Sequence, residues 1–138
     1  MATLEKALQE LHEARKRIEI TWLWDGGIDV KAGDAEWNFG CVSETLPWLH
    51  HWYGLKGSPS ADTLVSELEK MYDSEINVTI GTGGKRVFVA LGNDFTGYVA
   101  EGEVSSASAV LSWLQKSIHR HFPVSKYDVE RLGGMFTD

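Results

Sequence analysis

Residues 18–21 of the chain read IEIT and residues 76–79 read INVT, so one strand-like pattern occurs twice. Apolar and polar residues alternate in both segments, which is the two-residue period of a half-buried β-strand. An apolar stripe with helical spacing precedes each of them. Its members are Leu4, Leu8 and Leu11 before the first segment and Leu64, Leu68 and Met71, displaced by 60 positions, before the second. A helix followed by a strand is therefore predicted at both places.

The correspondence continues beyond these strands. The glycine pair at 26–27 is answered at 83–84, and VKAGD at 30–34 is answered by VALGN at 89–93, with offsets between 57 and 59 positions. PWL at 47–49 and SWL at 112–114 mark the closing helices. Because such self-similarity is typical of repeated units, the sequence predicts an α+β fold of two tandem αβββα repeats packed as one pseudo-duplicated domain with antiparallel sheets. The predicted boundaries are residues 1–54 for the first repeat, 55–59 for a linker, 60–123 for the second repeat and 124–138 for a C-terminal tail.

Two small three-stranded units bury little surface alone and leave sheet edges open, so the repeats are expected to pair. Their sheets either join edge to edge into one six-stranded sheet or pack face to face. In the first arrangement the helices cover one side and the other side stays partly wet. Phe88 and Val99 alternate out of step with their inward neighbours, which indicates that this second face is not wholly polar.

Composition excludes several classes of protein. The chain has 138 residues, of which 43% are hydrophobic and 24% charged, as in an ordinary folded domain. A formal charge of −7 disfavours direct nucleic-acid binding, which depends on cations that displace phosphate counterions. The first 17 residues do not resemble a signal peptide, and no segment approaches the roughly 18 apolar residues of a membrane span. With Cys41 as the single cysteine, no internal disulfide is expected, and the predicted location is the cytoplasm.

Histidines and loops provide weak catalytic candidates. His50, His51, His119 and His121 end the two closing helices, but their spacing does not place two ligands on one helix face, so solvated histidines are expected there, as for His12 on the first helix. The segment GTGGKR at 81–86 lacks the spacing of a phosphate-binding loop and predicts a hairpin turn. Cys41 is expected to be a buried structural thiol. We therefore expect no enzyme, no metal and no cofactor, with a small metal-dependent hydrolase that uses the helix-end histidines as an alternative.

The order helix, three strands, helix is that of double-stranded RNA binding domains. Those domains hold RNA with a lysine cluster at the start of their second helix. Here residues 101–107 read EGEVSSA, and residues 43–47 read SETLP. Both segments contain glutamate and no lysine at the positions where those domains carry the cluster. An RNA-related regulator remains an alternative function.

Residues 97–101 read GYVAE and lead into the helical pattern of residues 107–118. This strand and helix resemble those of HicB-like antitoxins over residues 97–118. The turn WDGG at 24–27, taken with GYVAE, is also similar to small uncharacterised bacterial proteins. The antitoxin resemblance implies a protein that binds and masks a partner, and the DNA-binding tail of many such antitoxins is not visible in residues 124–138.

Acid and tryptophan are concentrated in the first repeat. Between residues 18 and 44, six acidic residues face a single lysine, Lys31, and three tryptophans lie in the same span. A solvated face over a tryptophan-rich core would have this composition, and so would an acidic surface that docks a basic partner. We interpret the chain as a non-catalytic regulatory protein, an inhibitor or antitoxin-like binder of bacterial or phage origin. Its partner is predicted to be a basic protein, such as a nucleic-acid-binding protein, and the oligomeric state stays open. The predicted partner-binding residues are Asp25, Asp29, Asp34, Glu36 and Trp37.

Overall fold

The computed structural model describes residues 3–23, 27–40, 44–53, 63–93, 97–122 and 125–131. Within them the chain forms five α-helices and six β-strands. In chain order these are α1 (Leu4–Glu13), β1 (Ile18–Leu23), β2 (Gly27–Ala32), β3 (Ala35–Phe39), α2 (Thr45–Tyr53), α3 (Thr63–Asp73), β4 (Asn77–Gly81), β5 (Val87–Asn93), β6 (Gly97–Val104), α4 (Val110–His121) and α5 (Lys126–Arg131). The α+β class predicted from the sequence is confirmed. The predicted linker, residues 55–59, lies outside the described residues.

All six strands form one antiparallel sheet in the order β3-β2-β1-β4-β5-β6. The two three-stranded groups therefore join edge to edge through β1 and β4, and they do not pack face to face. At this seam Ile20 lies opposite Ile80 and Trp22 lies opposite Val78. Because all four side chains are buried, the seam also joins the apolar surfaces of the two groups.

One continuous core lies on one face of the sheet. Inward residues of the strands form a single buried cluster with the helix stripes that include Leu8, Leu68 and Leu114. Removal of this apolar surface from water is the main stabilising contribution. On the opposite face, called here the open face, the outer strands carry exposed polar residues such as Glu36 and Glu101. The expectation of helices on one side and a partly wet other side is thus met.

Long-range hydrogen bonds complete the helix ends. Ser106 precedes the short 3₁₀ turn (Ala107–Ala109) that leads into α4, and its side chain makes no capping bond. Instead, Gln9 Oε1 on α1 accepts a hydrogen bond from the N–H of Ala107 at 2.7 Å. An acceptor 98 positions away therefore satisfies this free amide, which ties the turn at the start of α4 to α1.

His12 is not a surface residue, contrary to the expectation from its place on the first helix. It is 8% exposed, and its Nδ1 accepts a hydrogen bond from the N–H of Gly83 at 3.1 Å. Nδ1 must carry a lone pair for this contact, so the proton of the neutral ring is on Nε2. The bond anchors the β4–β5 loop to the end of α1.

The His12→Ala variant is expected to lose about 1–3 kcal/mol of unfolding free energy, because the buried Gly83 N–H is left without an acceptor. Urea denaturation followed by circular dichroism measures the change. His51→Ala is the control, since His51 is exposed on α2 and its removal leaves the stability within about 0.5 kcal/mol of the parent. Equal stabilities of the two variants would contradict the anchoring role.

Part of the predicted C-terminal tail is structured. Residues 126–131 form α5, which packs against α4 and buries Tyr127 in the core. Ser125 Oγ accepts a hydrogen bond from the Asp128 N–H at 3.1 Å, so Ser125 caps this helix. Residues 124 and 132–138 lie outside the described part.

Candidate functional site

The predicted partner-binding residues fall on two faces of the outer strands. Asp29 and Glu36 project from the open face, where Asn38 lies opposite Asp29 and Lys31 lies opposite Glu36. Trp37 projects from the other face, since it lies opposite the buried Val30 and its ring contacts α2. The carboxylates and the tryptophan ring therefore do not meet on one surface, because neighbouring residues of a strand point in opposite directions.

A groove of about 310 Å³ lies on the open face over β2 and β3. We call it the acidic groove; it is lined by Asp29, Val30, Lys31, Glu36, Trp37 and Asn38. Val30 and Trp37 turn their side chains inward, so their main-chain atoms form its floor. Asp29 Oδ1 accepts a hydrogen bond from Asn38 Nδ2 at 2.7 Å, which holds this carboxylate in place.

The other two predicted residues lie differently. Asp34 is exposed in the turn between β2 and β3, next to Gly33, whose φ of 64° suits glycine. It extends the acidic surface past the end of the groove without lining it. Asp25 lies outside the described residues, as does the predicted structural thiol, Cys41.

Beneath the same edge, on the helix-covered face, lies a group of aromatic rings that we call the aromatic cluster: Trp37, Phe39, Trp48, Trp52 and Tyr53. The Trp37 ring packs against α2, with centroid distances of 4.8 Å to Trp48 and 4.5 Å to Trp52. Trp48 and Trp52 are stacked, with an interplanar angle of 9°. Trp52 is 50% exposed, so the cluster reaches the protein surface beside β3.

Sequence reasoning missed the α2 members of this cluster. Trp48 and Trp52 are four positions apart, and that spacing places two side chains on one helix face. Tyr53 packs edge-on against Trp48, and burial raises the pKa of its phenol above the usual value. The cluster is therefore a partly buried aromatic surface in which Trp52 is the most exposed member.

The helix-end histidines have different environments in the structure. His50 is 7% exposed, in contrast to the solvated position expected, and neither of its ring nitrogens has a hydrogen-bond partner. His119 is half exposed, and its Nδ1 lies 2.8 Å from the fully buried carboxylate of Asp128. Among the described residues, which include all five histidines, no group of three or more potential ligands could hold a metal ion.

No helix in the described ranges has the length and apolar character needed to cross a bilayer. No protein-family model matches the chain, and comparisons with curated proteins and with solved structures find no significant match.

Proposed function

We propose that the chain is a non-catalytic binding protein that docks a basic protein partner along the outer edge of β3. The partner supplies an extended segment in which cationic and apolar residues alternate. This segment adds to the sheet as a further strand. The observation that carries the proposal is the aromatic cluster, which reaches the surface at Trp52, on one side of an edge strand whose other side is acidic.

The free edge of β3 supports strand addition. Among the described elements, β3 pairs with β2 alone, so its outer row of N–H and C=O groups faces no other described strand. The side chains of an added strand alternate between the two faces of the sheet. One set comes to lie beside Glu36 and Asn38 on the open face, and the other set comes to lie beside Trp37 and Trp52.

Charge selects the first set. The β2–β3 hairpin carries three described carboxylates, on Asp29, Asp34 and Glu36, against one cation, Lys31. Arginine or lysine side chains complement this surface and accelerate encounter through long-range attraction. The second set contacts the aromatic cluster, which favours apolar side chains and the side chain of arginine. Tryptophan is enriched among the interface residues that contribute most of the binding free energy.

A protein that covers a basic segment of its partner would act as an inhibitor or in an antitoxin-like manner. We propose that it is of bacterial or phage origin and acts in the cytoplasm. The negative charge of the chain supports a protein partner over direct nucleic-acid contact.

We further infer that the chain arose from two tandem αβββα repeats. Residues 18–21 correspond to 76–79, so Thr21 corresponds to Thr79. These two threonines lie directly opposite each other across the β1–β4 seam, and their hydroxyl oxygens are 3.1 Å apart. On either side of this pair, Ile20 lies opposite Ile80 and Trp22 lies opposite Val78. Residue 20 corresponds to residue 78 and residue 22 to residue 80, so exchange of the two halves converts the first pair into the second. This exchange is what an approximate twofold axis through the threonine pair would produce.

The docking proposal is tested with a synthetic peptide in which arginine and valine alternate. We expect binding that changes tryptophan emission, because Trp52 lies beside the added strand. The triple variant Asp29→Lys, Asp34→Lys and Glu36→Lys is expected to slow association about ten- to a hundredfold at low salt. Added salt should shrink that difference, since it screens exposed charges.

The matched control is the triple variant Glu10→Lys, Glu69→Lys and Glu130→Lys, which changes the net charge equally at exposed positions on α1, α3 and α5. Its association rate is expected to fall much less. Trp52→Ala should weaken binding mainly through faster dissociation. If both triple variants bind the peptide equally well, or if Trp52→Ala leaves the dissociation rate unchanged, the β3 edge is not the docking site.

A further inference from the structure

A second, larger pocket lies on the open face at one end of the central strands, where β4 leads into β5. Its volume is about 640 Å³, within the size range of small-molecule sites. The floor is at Gly81, the last residue of β4, which lies between Glu19 of β1 and Phe88 of β5. Because Gly81 has no side chain, the sheet has a depression there between its two larger neighbours.

The rim of this pocket is positively charged, although the chain as a whole carries −7. We call it the cationic pocket; its four basic residues are Arg17, Lys31, Lys85 and Arg86. All four are exposed, and the ion pairs found among the described residues involve none of them. Two carboxylates, Glu19 and Glu103, also line the pocket. An anionic group is thus attracted to the rim, and the carboxylates are available as hydrogen-bond acceptors.

The loop that carries two of these cations is held by hydrogen bonds to α1 and to the segment between α1 and β1. Thr82 Oγ1 donates to the carbonyl of Lys16 at 2.9 Å, and Arg15 Nη1 donates to the carbonyl of Gly84 at 3.0 Å. The His12 contact with Gly83 adds a third bond. The main chain beside Lys85 is therefore organised before any ligand arrives, which lowers the entropy lost on binding.

Phe88 gives the pocket an apolar wall. Its side chain is half buried and lies against Gly81, with Cβ 3.5 Å and Cδ2 3.8 Å from the point where a Gly81 Cβ would be. A planar ring of a ligand can stack on such an aromatic surface. The pocket thus combines a place for a ring, cations for an anionic group and carboxylate acceptors for hydroxyl or amino donors.

We propose that the cationic pocket binds a nucleoside phosphate. The phosphate lies at the rim formed by Lys85, Arg86 and Arg17, the base stacks on Phe88, and ribose hydroxyls or a base amine donate to Glu19 or Glu103. The site is separate from the docking edge at β3, although Lys31 borders both. The proposal does not depend on the docking function.

Adenosine monophosphate is the first probe, titrated by calorimetry at low salt. The double variant Lys85→Glu and Arg86→Glu is expected to weaken its binding at least about tenfold, which corresponds to loss of one favourable contact of ordinary strength. The matched control, Lys6→Glu with Lys116→Glu, makes the same change in net charge at exposed positions on α1 and α4, and it should bind like the parent. Melting curves verify that all variants are folded.

Further measurements separate the contribution of the base to binding from that of the phosphate. Phe88→Leu should weaken adenosine monophosphate and leave the affinity for inorganic phosphate unchanged, because only the base contacts the ring. Equal losses in the pocket and control double variants would show non-specific attraction and overturn the proposal. Absence of adenosine monophosphate binding at about 5 mM would do the same. Binding of a single-stranded RNA oligomer without binding of the mononucleotide would also overturn it, in favour of a nucleic-acid surface.

Discussion

The Ile80→Asp variant is expected to unfold the entire chain and not only its second half. Ile80 is fully buried at the seam, directly opposite Ile20. An unpaired carboxylate at that position costs several kcal/mol, roughly 5 or more, which is comparable to the total stability of a small domain. Because the core on the two sides of the seam is continuous, loss of packing at β4 also exposes the inward face of β1.

The distribution of tryptophan provides a clear readout for this variant. Five of the six tryptophans precede residue 55, so emission reports the first half although the substitution lies in the second. Emission should shift to that of solvent-exposed indole together with loss of the far-ultraviolet circular dichroism signal. Ile80→Val, the conservative control, should lose only about 0.5–1.5 kcal/mol. Native tryptophan emission in a half-unfolded Ile80→Asp chain would contradict the shared core.

The second large effect is expected for Gly83→Ala, which should lower the unfolding free energy by about 3–5 kcal/mol. Gly83 has a φ of 90°, a conformation that a residue with a side chain adopts at a cost. A Cβ there would also lie 2.8 Å from main-chain atoms of Lys16 and Arg17. To relieve this contact the loop must move away from the segment between α1 and β1, which also breaks the nearby bond between His12 and Gly83.

Two other glycines separate the backbone cost from the cost of the close contact. Gly33 has a φ of 64° with nothing near its Cβ position, so Gly33→Ala carries only the backbone cost, about 1–2 kcal/mol. Gly84 has its nearest atom, the Arg86 carbonyl oxygen, at an ordinary 3.7 Å, and Gly84→Ala should lie within about 0.5 kcal/mol of the parent. Denaturant titration of the three variants should rank Gly83 well above Gly33 and Gly33 above Gly84. Equal losses at Gly83 and Gly33 would show that the close approach to Lys16 and Arg17 contributes nothing.

The candidate docking site illustrates how far local patterns reach. The concentration of acidic residues and tryptophan between residues 18 and 44 identified its acidic residues, and the structure places Asp29 and Glu36 in one groove. Trp37 was assigned to the same surface, yet it projects from the opposite face because sequence neighbours in a strand diverge. Trp48 and Trp52 joined the cluster only through the packing of α2 against β3, which no local pattern reports.

The cationic pocket was also not predictable from local sequence patterns. Arg17, Lys31 and Lys85 are far apart in an acidic chain, so no single window of sequence contains all the cations of the pocket. The pairing of β1 with β4 brings their segments to one end of the sheet. The loop at 81–86 was identified as a hairpin turn from its glycines, and its role as a pocket wall depends on strands that are distant in sequence.

By itself, the sequence determined the order of α1 to α4 and of the six strands, because the spacing of apolar residues along a short segment directly reflects the geometry of that segment. It did not indicate α5, which lies in the predicted tail. Tertiary structure alone decided that the two sheets join at β1 and β4 and that His12 becomes buried against Gly83. It also decided that Gln9 accepts from Ala107, 98 positions away. These outcomes depend on which distant surfaces exclude water together and which amides then lack a local acceptor, and periodicity carries no information about either.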